Sequence, residues 1–195
     1  MKQSLEPLLR EIRSCQVCAA HLAHGPRPVV QISATARLII IGQAPGSKVH
    51  ASGVPWDDDS GNRLREWTKI DADAFYDPGR VALIPMGFCY PGAGASADLP
   101  PRPECAPLWH ERLISCLPTS RLTLLVGMHA QNYYLPKTRK PTMTETVRAF
   151  DDHLPTFFPL PHPSWRSRGW MKRNPWFADE VLPALRKAVQ RAIDR

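Results

Sequence analysis

The chain has 195 residues, 43% of them hydrophobic. That is enough for one domain whose core needs no disulfides and too few for two large ones, so residues 1–195 are read as a single domain. The 25 Lys and Arg against 18 Asp and Glu leave a formal charge of +7, which permits a polyanionic partner without identifying one. No apolar run approaches the roughly 20 residues that cross a bilayer. The N-terminal MKQSLEPLLREIRSC also lacks the apolar stretch of a secretory signal, so a soluble, cytoplasmic monomer without a membrane partner is expected.

Along the chain, Leu5, Leu8, Leu9 and Ile12 are spaced as a short amphipathic helix. ARLIIIG at 36–42 reads as a buried strand ending in a glycine-rich turn. SGNRLREWTKI follows as a helix with Ser60 as its cap. RVALIPMG at 80–87 is a second strand, 105–117 a helix that buries Cys116, and RLTLLVG at 121–127 a third strand. MHAQNYYL continues as a helix, TFFPLP at 156–161 supplies a fourth strand, and FADEVLPALRKAVQRAI closes the chain as a helix despite Pro183. Short apolar strands alternating with helices predict an α/β fold, a three-layer α/β/α sandwich around a central four-stranded parallel sheet. Ligands in such sheets gather beyond the carboxyl ends of the strands. GQAPG, MGFCYPG and PHPS all fall there.

Five cysteines, an odd number, argue against a disulfide framework. Cys15 and Cys18 form a CxxC pair after the first helix, and Cys89 and Cys105 a wider pair around an irregular Gly- and Pro-rich loop. Four sulfurs suit zinc or an iron-sulfur cluster equally well, and simple burial of the thiols is the third reading.

The turn Gly42-Gln43-Ala44-Pro45-Gly46 permits close approach to a ligand but lacks the lysine and spacing of a phosphate-binding loop. Trp56, beside Asp57, Asp58 and Asp59, can stack on a planar base or fill the core. His162, in His162-Pro163-Ser164, can donate a hydrogen bond to developing negative charge. The run from Trp165 to Arg173 interleaves aromatic rings with cations, a combination that contacts phosphates while a ring leans on a base stack.

Taken in order, Cys15-x-x-Cys18, the 42–46 turn, Gly53-Val54-Pro55-Trp56, Cys89…Cys105 and His162-Pro163-Ser164 resemble the uracil-DNA glycosylase superfamily. Within it they are most similar to the thermophile-type iron-sulfur branch, over most of the chain from Cys15 onward. The resemblance implies hydrolysis of the N-glycosidic bond between deoxyribose and uracil or another deaminated base in DNA. It gives Cys15, Cys18, Cys89 and Cys105 a structural 4Fe-4S cluster, with zinc as the alternative. Trp56 takes the place of a phenylalanine that stacks on the flipped base, and His162 meets the base carbonyl. Ser164, Trp165, Arg166 and Arg168 fall on the DNA-inserting loop, while Gln43 and Ala44 face the attacking water. The branch has a glutamate where this chain has Gln43, which leaves Asp57 as the expected proton acceptor, with Asp58 and His50 behind it. Its base-reading asparagine falls on Pro85, which moves base recognition to the backbone of Met86 and Gly87. The glycosylase reading requires one base to be enclosed between Trp56 and His162. A non-catalytic, damage-binding relative and a small-nucleotide enzyme are the alternatives.

Overall fold

A computed structural model describes residues 4–194. At its centre are β1 (Leu38–Ile41), β2 (Val81–Leu83), β3 (Leu122–Val126) and β4 (Phe157–Leu160). The strands are all parallel in the order β2-β1-β3-β4, with Leu38 opposite both Val81 and Leu122, and Thr123 opposite Phe157. Their side chains are almost wholly buried, as expected of a sheet covered on both faces.

Period-two alternation sorts the strand residues into two layers. Leu38 and Ile40 pack with Leu64, Trp67, Phe177 and Leu185, whereas Ile39 and Ile41 pack with Leu8, Ile12, Trp109 and Leu113. The helices in chain order are α1 (Leu5–Arg13), α2 (Ser47–Ser52), α3 (Asp59–Thr68), α4 (Ala72–Tyr76) and α5 (Cys105–Ser115). They continue with α6 (Met128–Tyr134), α7 (Met143–Arg148), α8 (Ser167–Arg173) and α9 (Leu182–Ile193). Residues of α3, α7 and α9 cover the first face, and those of α1, α5 and α6 the second. The three-layer α/β/α sandwich is therefore the observed architecture.

Several local expectations are revised. The N-cap of α3 is Asp58, not Ser60: its extended backbone lets the carboxylate accept from the Gly61 N–H at 2.8 Å, which satisfies an orphan helix donor. β2 is shorter than the apolar run 80–87, ending at Leu83, although the Ile84 and Met86 amides still donate to Ile40 O and Gly42 O. The basic stretch before β4 holds α7, nucleated by a reciprocal Thr142–Glu145 capping box. The Trp165–Arg173 run folds into α8 from Ser167 onward. Pro183 is accommodated at the start of α9, directly after a π-helical turn at Phe177–Val181. Among the described residues no helix is long and apolar enough to cross a membrane.

The chain leaves β1 for β2 on one side and returns to β3 on the other. The crevice at the carboxyl ends of β1 and β3 is the topological switch point of the sheet.

Candidate functional site

A cavity of about 350 Å3 opens at that switch point. It falls within the size range of small-ligand sites. Its wall joins the turn after β1 (Gly42 to Gly46), the segment before α3 (Pro55, Trp56, Asp58, Ser60), Pro85, residues 96–99, and the loop after β4 (His162, Ser164, Trp165, Arg166).

Trp56 owes its place to two glycines. Its backbone lies in the left-handed region at φ 58, an uncommon conformation for a bulky residue and one that cavities tend to retain when the surroundings over-determine it. A Cβ on Gly61 would stand 1.8 Å from the Trp56 carbonyl oxygen, and one on Gly42 would stand 2.6 Å from Cζ2 of the indole. Hydrogen at both positions lets α3 and the β1 turn close on the tryptophan from two sides. The Tyr76 hydroxyl donates to the same Trp56 carbonyl at 3.3 Å.

His162 stands beside Trp56, with ring centroids 6.0 Å apart and planes inclined by 26°. A base sandwiched between them would need two stacking contacts of about 3.5 Å each, more than this separation gives. The pair therefore forms one wall of the cavity. Arg63 of α3 donates to the carbonyl oxygens of Pro163 and Ser164, at 3.0 and 2.6 Å, and so holds the histidine-bearing turn against the helix that follows Trp56. Burial pushes the His162 imidazole below its ordinary pKa, opposed by the Asp58 carboxylate and assisted by His129. At neutral pH the ring is uncharged and can still donate one N–H.

Pro85 lines the cavity, but the amides that follow it do not serve a ligand. Met86 N–H donates to Gly42 O at 2.9 Å and Gly87 N–H to Gln43 O at 3.0 Å. They continue the β1–β2 seam past Pro85, so these two N–H groups are not free to read a base, and neither Met86 nor Gly87 lines the cavity. Met86 is buried in the second core layer, and Gly87 backs onto Pro101. Pro85 is fixed from behind by His110. Because a carbonyl only accepts, His110 Nε2–H donates to Pro85 O at 3.0 Å, and Nδ1 accepts from the Tyr134 hydroxyl at 2.7 Å. Burial holds His110 down to about 4.

The carboxylates separate by position. Asp57 is not part of the cavity lining, whereas Asp58 is, with Oδ1 committed to the α3 cap. Gln43 and Ala44 both line the cavity. His50 lies behind it, in ring contact with His24 and Tyr90, and its Nδ1 is buried without a partner.

At the rim, Ser164, Trp165 and Arg166 contribute to the lining, and Trp165 is 72% exposed. The Arg166 guanidinium lies 5.2 Å from the Trp165 ring centre. Arg168 is exposed on α8, outside the lining. Trp170 turns the other way, packing on Trp176 and Phe177 and donating from Nε1 to Thr144 Oγ1 at 2.9 Å. The aromatic residues of this run thus divide between rim and core.

Away from the cavity, Cys15, Cys18, Cys89 and Cys105 line one small apolar cleft with Leu22, Pro28 and Trp109. Burial raises the Cys18 and Cys89 thiols and pushes Cys105 up to about 12, with the neighbouring sulfurs adding to each shift. The Phe88 N–H donates to Cys105 Sγ at 3.3 Å. Among the described residues no three His, Cys, Asp or Glu side chains form a group that could hold a metal ion. The fifth cysteine, Cys116, is buried in the core.

Arg63, Gly61, His110 and Asp98 belong to the site without having stood out in the sequence. The first three lie inside helical patterns, and Asp98 lies in the loop between two cysteines. Only its isolation as an acidic residue in a Gly- and Pro-rich stretch was a signal. Compared with known families, residues 29–186 match the uracil DNA glycosylase superfamily.

Proposed function

This chain belongs to the uracil DNA glycosylase superfamily, and on that premise we propose that it hydrolyses the N-glycosidic bond of uracil or another deaminated base in DNA. The observation that carries the reading is the Trp56–His162 wall inside a base-sized cavity at the strand ends. A base inside a duplex cannot present its glycosidic bond, so the nucleotide leaves the stack first. Its ring lies on Trp56 while Trp165 and the cations beside it hold the opened duplex at the rim.

As the bond to the sugar stretches, positive charge grows on the sugar and negative charge on the base. Neutral His162 donates its N–H to the base oxygen and meets that charge only as it develops, which lowers the barrier and not the ground state. Gln43 and the Ala44 backbone hold the water for the sugar carbon. Recognition of the base edge falls to side chains, because the Met86 and Gly87 amides are occupied.

The same reading gives Cys15, Cys18, Cys89 and Cys105 a 4Fe-4S cluster, with zinc as the alternative. All four donors are sulfurs in an apolar cleft with a backbone N–H on one of them, the donor chemistry of a sulfur-ligated centre, and binding would have to draw them into the closer group that the described residues do not form on their own. Bound there, it would cross-link the N-terminal segment to the loop that ends at α5. Protein purified without oxygen is expected to be brown, with about four irons per chain by metal analysis; a colourless zinc protein would reject the cluster.

The test of function is base release from single- and double-stranded oligonucleotides carrying uracil, hypoxanthine, xanthine or normal bases. Release with an intact backbone is expected. His162→Ala should slow it by about 10²–10³-fold with DNA affinity nearly unchanged. DNA binding without release from any substrate would instead support a damage-binding relative.

A further inference from the structure

The β1 turn carries no carboxylate of its own, but one from a neighbouring hairpin packs against it. Residues 92–99 form a tight hairpin in which Leu99 N–H donates to Gly92 O at 2.9 Å and Gly94 N–H to Ala97 O at 2.7 Å, with Ala93 and Asp98 paired between them. Gly92, at φ 100, supplies a backbone angle that other residues resist. Arg166 donates to Ser96 O at 3.0 Å, tying the hairpin to the loop after β4 across the cavity mouth.

From this hairpin Asp98 joins Gln43, Gly46, Trp56 and His162 in the cavity lining. Its Oδ2 lies 3.3 Å from the point where a Cβ on Gly46 would stand, so the carboxylate rests against the turn that carries Gln43. Its Oδ1 accepts from the Tyr90 hydroxyl at 3.4 Å. Tyr90 is itself buried, its ring 5.3 Å from that of His24 and 5.7 Å from that of His50. Burial and the Asp98 carboxylate both raise the tyrosine hydroxyl, which keeps it a donor.

We propose that Asp98 is the catalytic carboxylate of this site, taking the proton of the attacking water that Gln43, a neutral amide, can orient but not accept. The inference rests on the glycosylase reading and deepens it. In the step, the bond from the sugar C1′ to the base nitrogen breaks, and its electron pair leaves with the base toward the His162 N–H. The water oxygen bonds to C1′, and the water proton passes to Asp98 and from there to solvent. Asp58 is held at the α3 cap with its charge acting on His162, whereas Asp98 rests against the turn that carries Gln43, and Asp57 lies outside the cavity lining.

Asp98→Asn keeps the size of the side chain and removes its basicity. Single-turnover base release should fall by about 100-fold or more, with unchanged thermal melting and DNA affinity. Adding Gln43→Glu to that variant should recover at least about tenfold of the rate, since it places a carboxylate on the turn against which Asp98 rests. A second arm needs no turnover. Wild-type protein should bind DNA carrying a cationic pyrrolidine abasic analogue about tenfold more tightly than DNA carrying neutral tetrahydrofuran, and Asp98→Asn should abolish that preference. Release by Asp98→Asn within about threefold of wild type, or an undiminished preference for the cation, overturns the proposal. Wild-type protein that releases no base from any oligonucleotide overturns the glycosylase reading, and the analogue arm then decides separately whether Asp98 stands at the sugar.

Discussion

The two walls of the cavity are built by different means. Trp56 leads into α3 and His162 follows β4, and both are locked in place: Gly61 lies under the tryptophan carbonyl, Gly42 under its indole, and Arg63 across the histidine turn. Asp98 stands on an exposed hairpin held by a few hydrogen bonds, the Arg166–Ser96 tie and the Tyr90 hydroxyl. A wall set by sterics against the core fails abruptly when its fit is spoiled, while a wall set by polar ties fails by degrees. The first suits groups that must hold a fixed geometry against a base, and the second a group that acts on a small, mobile water.

That contrast can be broken at graded strength. The largest effect is expected at Gly61, where an added methyl meets the Trp56 carbonyl at 1.8 Å and backbone must give way. Gly61→Ala should cost about 3 kcal/mol of stability in urea unfolding and remove base release with it. An unchanged unfolding midpoint would mean that the left-handed tryptophan is not held from below.

Acid should loosen the cavity at Pro85, from behind. His110 sits near 4 in the folded protein against an ordinary 6.5, so between those values the unfolded chain binds the proton that the folded one refuses. Stability is therefore fully present above about pH 7 and is lost as pH falls toward 4, by about 3 kcal/mol from this residue alone. Denaturation of wild type at the two pH values, beside His110→Asn, measures it; the variant should show a flatter dependence.

Arg63→Ala removes two charge-assisted bonds to the histidine turn without touching a ligand. Base release should slow by about tenfold to a hundredfold as His162 drifts. Arg63→Lys should recover only part of this, because one ammonium replaces a fork that reaches two carbonyls. The smallest change is expected on the hairpin wall. Tyr90→Phe deletes one long hydrogen bond to Asp98 and should lower the rate by about fivefold, near 1 kcal/mol, with no loss of DNA affinity. A loss as large as that of Arg63→Ala would mean that the two walls are not held so differently.

The alternation of short apolar strands with helices was enough to give the α/β/α sandwich, because burial of a parallel sheet on both faces leaves a continuous apolar signature. Ordered motifs likewise marked Gly42 to Gly46, Trp56 and His162, which sit after β1, before α3 and after β4, where the chain turns sharply and leaves glycine and proline as traces. Those same traces did not reveal where backbone donors go. Met86 and Gly87 lie beside the cavity in sequence and in space, yet their amides close the seam with Gly42 and Gln43. The Trp165–Arg173 run read as one aromatic and basic unit, and the fold divides it between Trp165 at the rim and Trp170 in the core.

The sequence by itself determined the layers of this protein and the turns that carry Trp56 and His162, since hydrophobic period and turn punctuation are local properties. Tertiary structure alone decided that Asp98 rather than Asp57 shares a cavity with Gln43 and that Arg63 reaches a turn 100 residues away. It also decided that four cysteines from two distant segments line one cleft. Those pairings depend on which loops the sheet order brings together, and a pairing across the fold leaves no periodic mark on either partner.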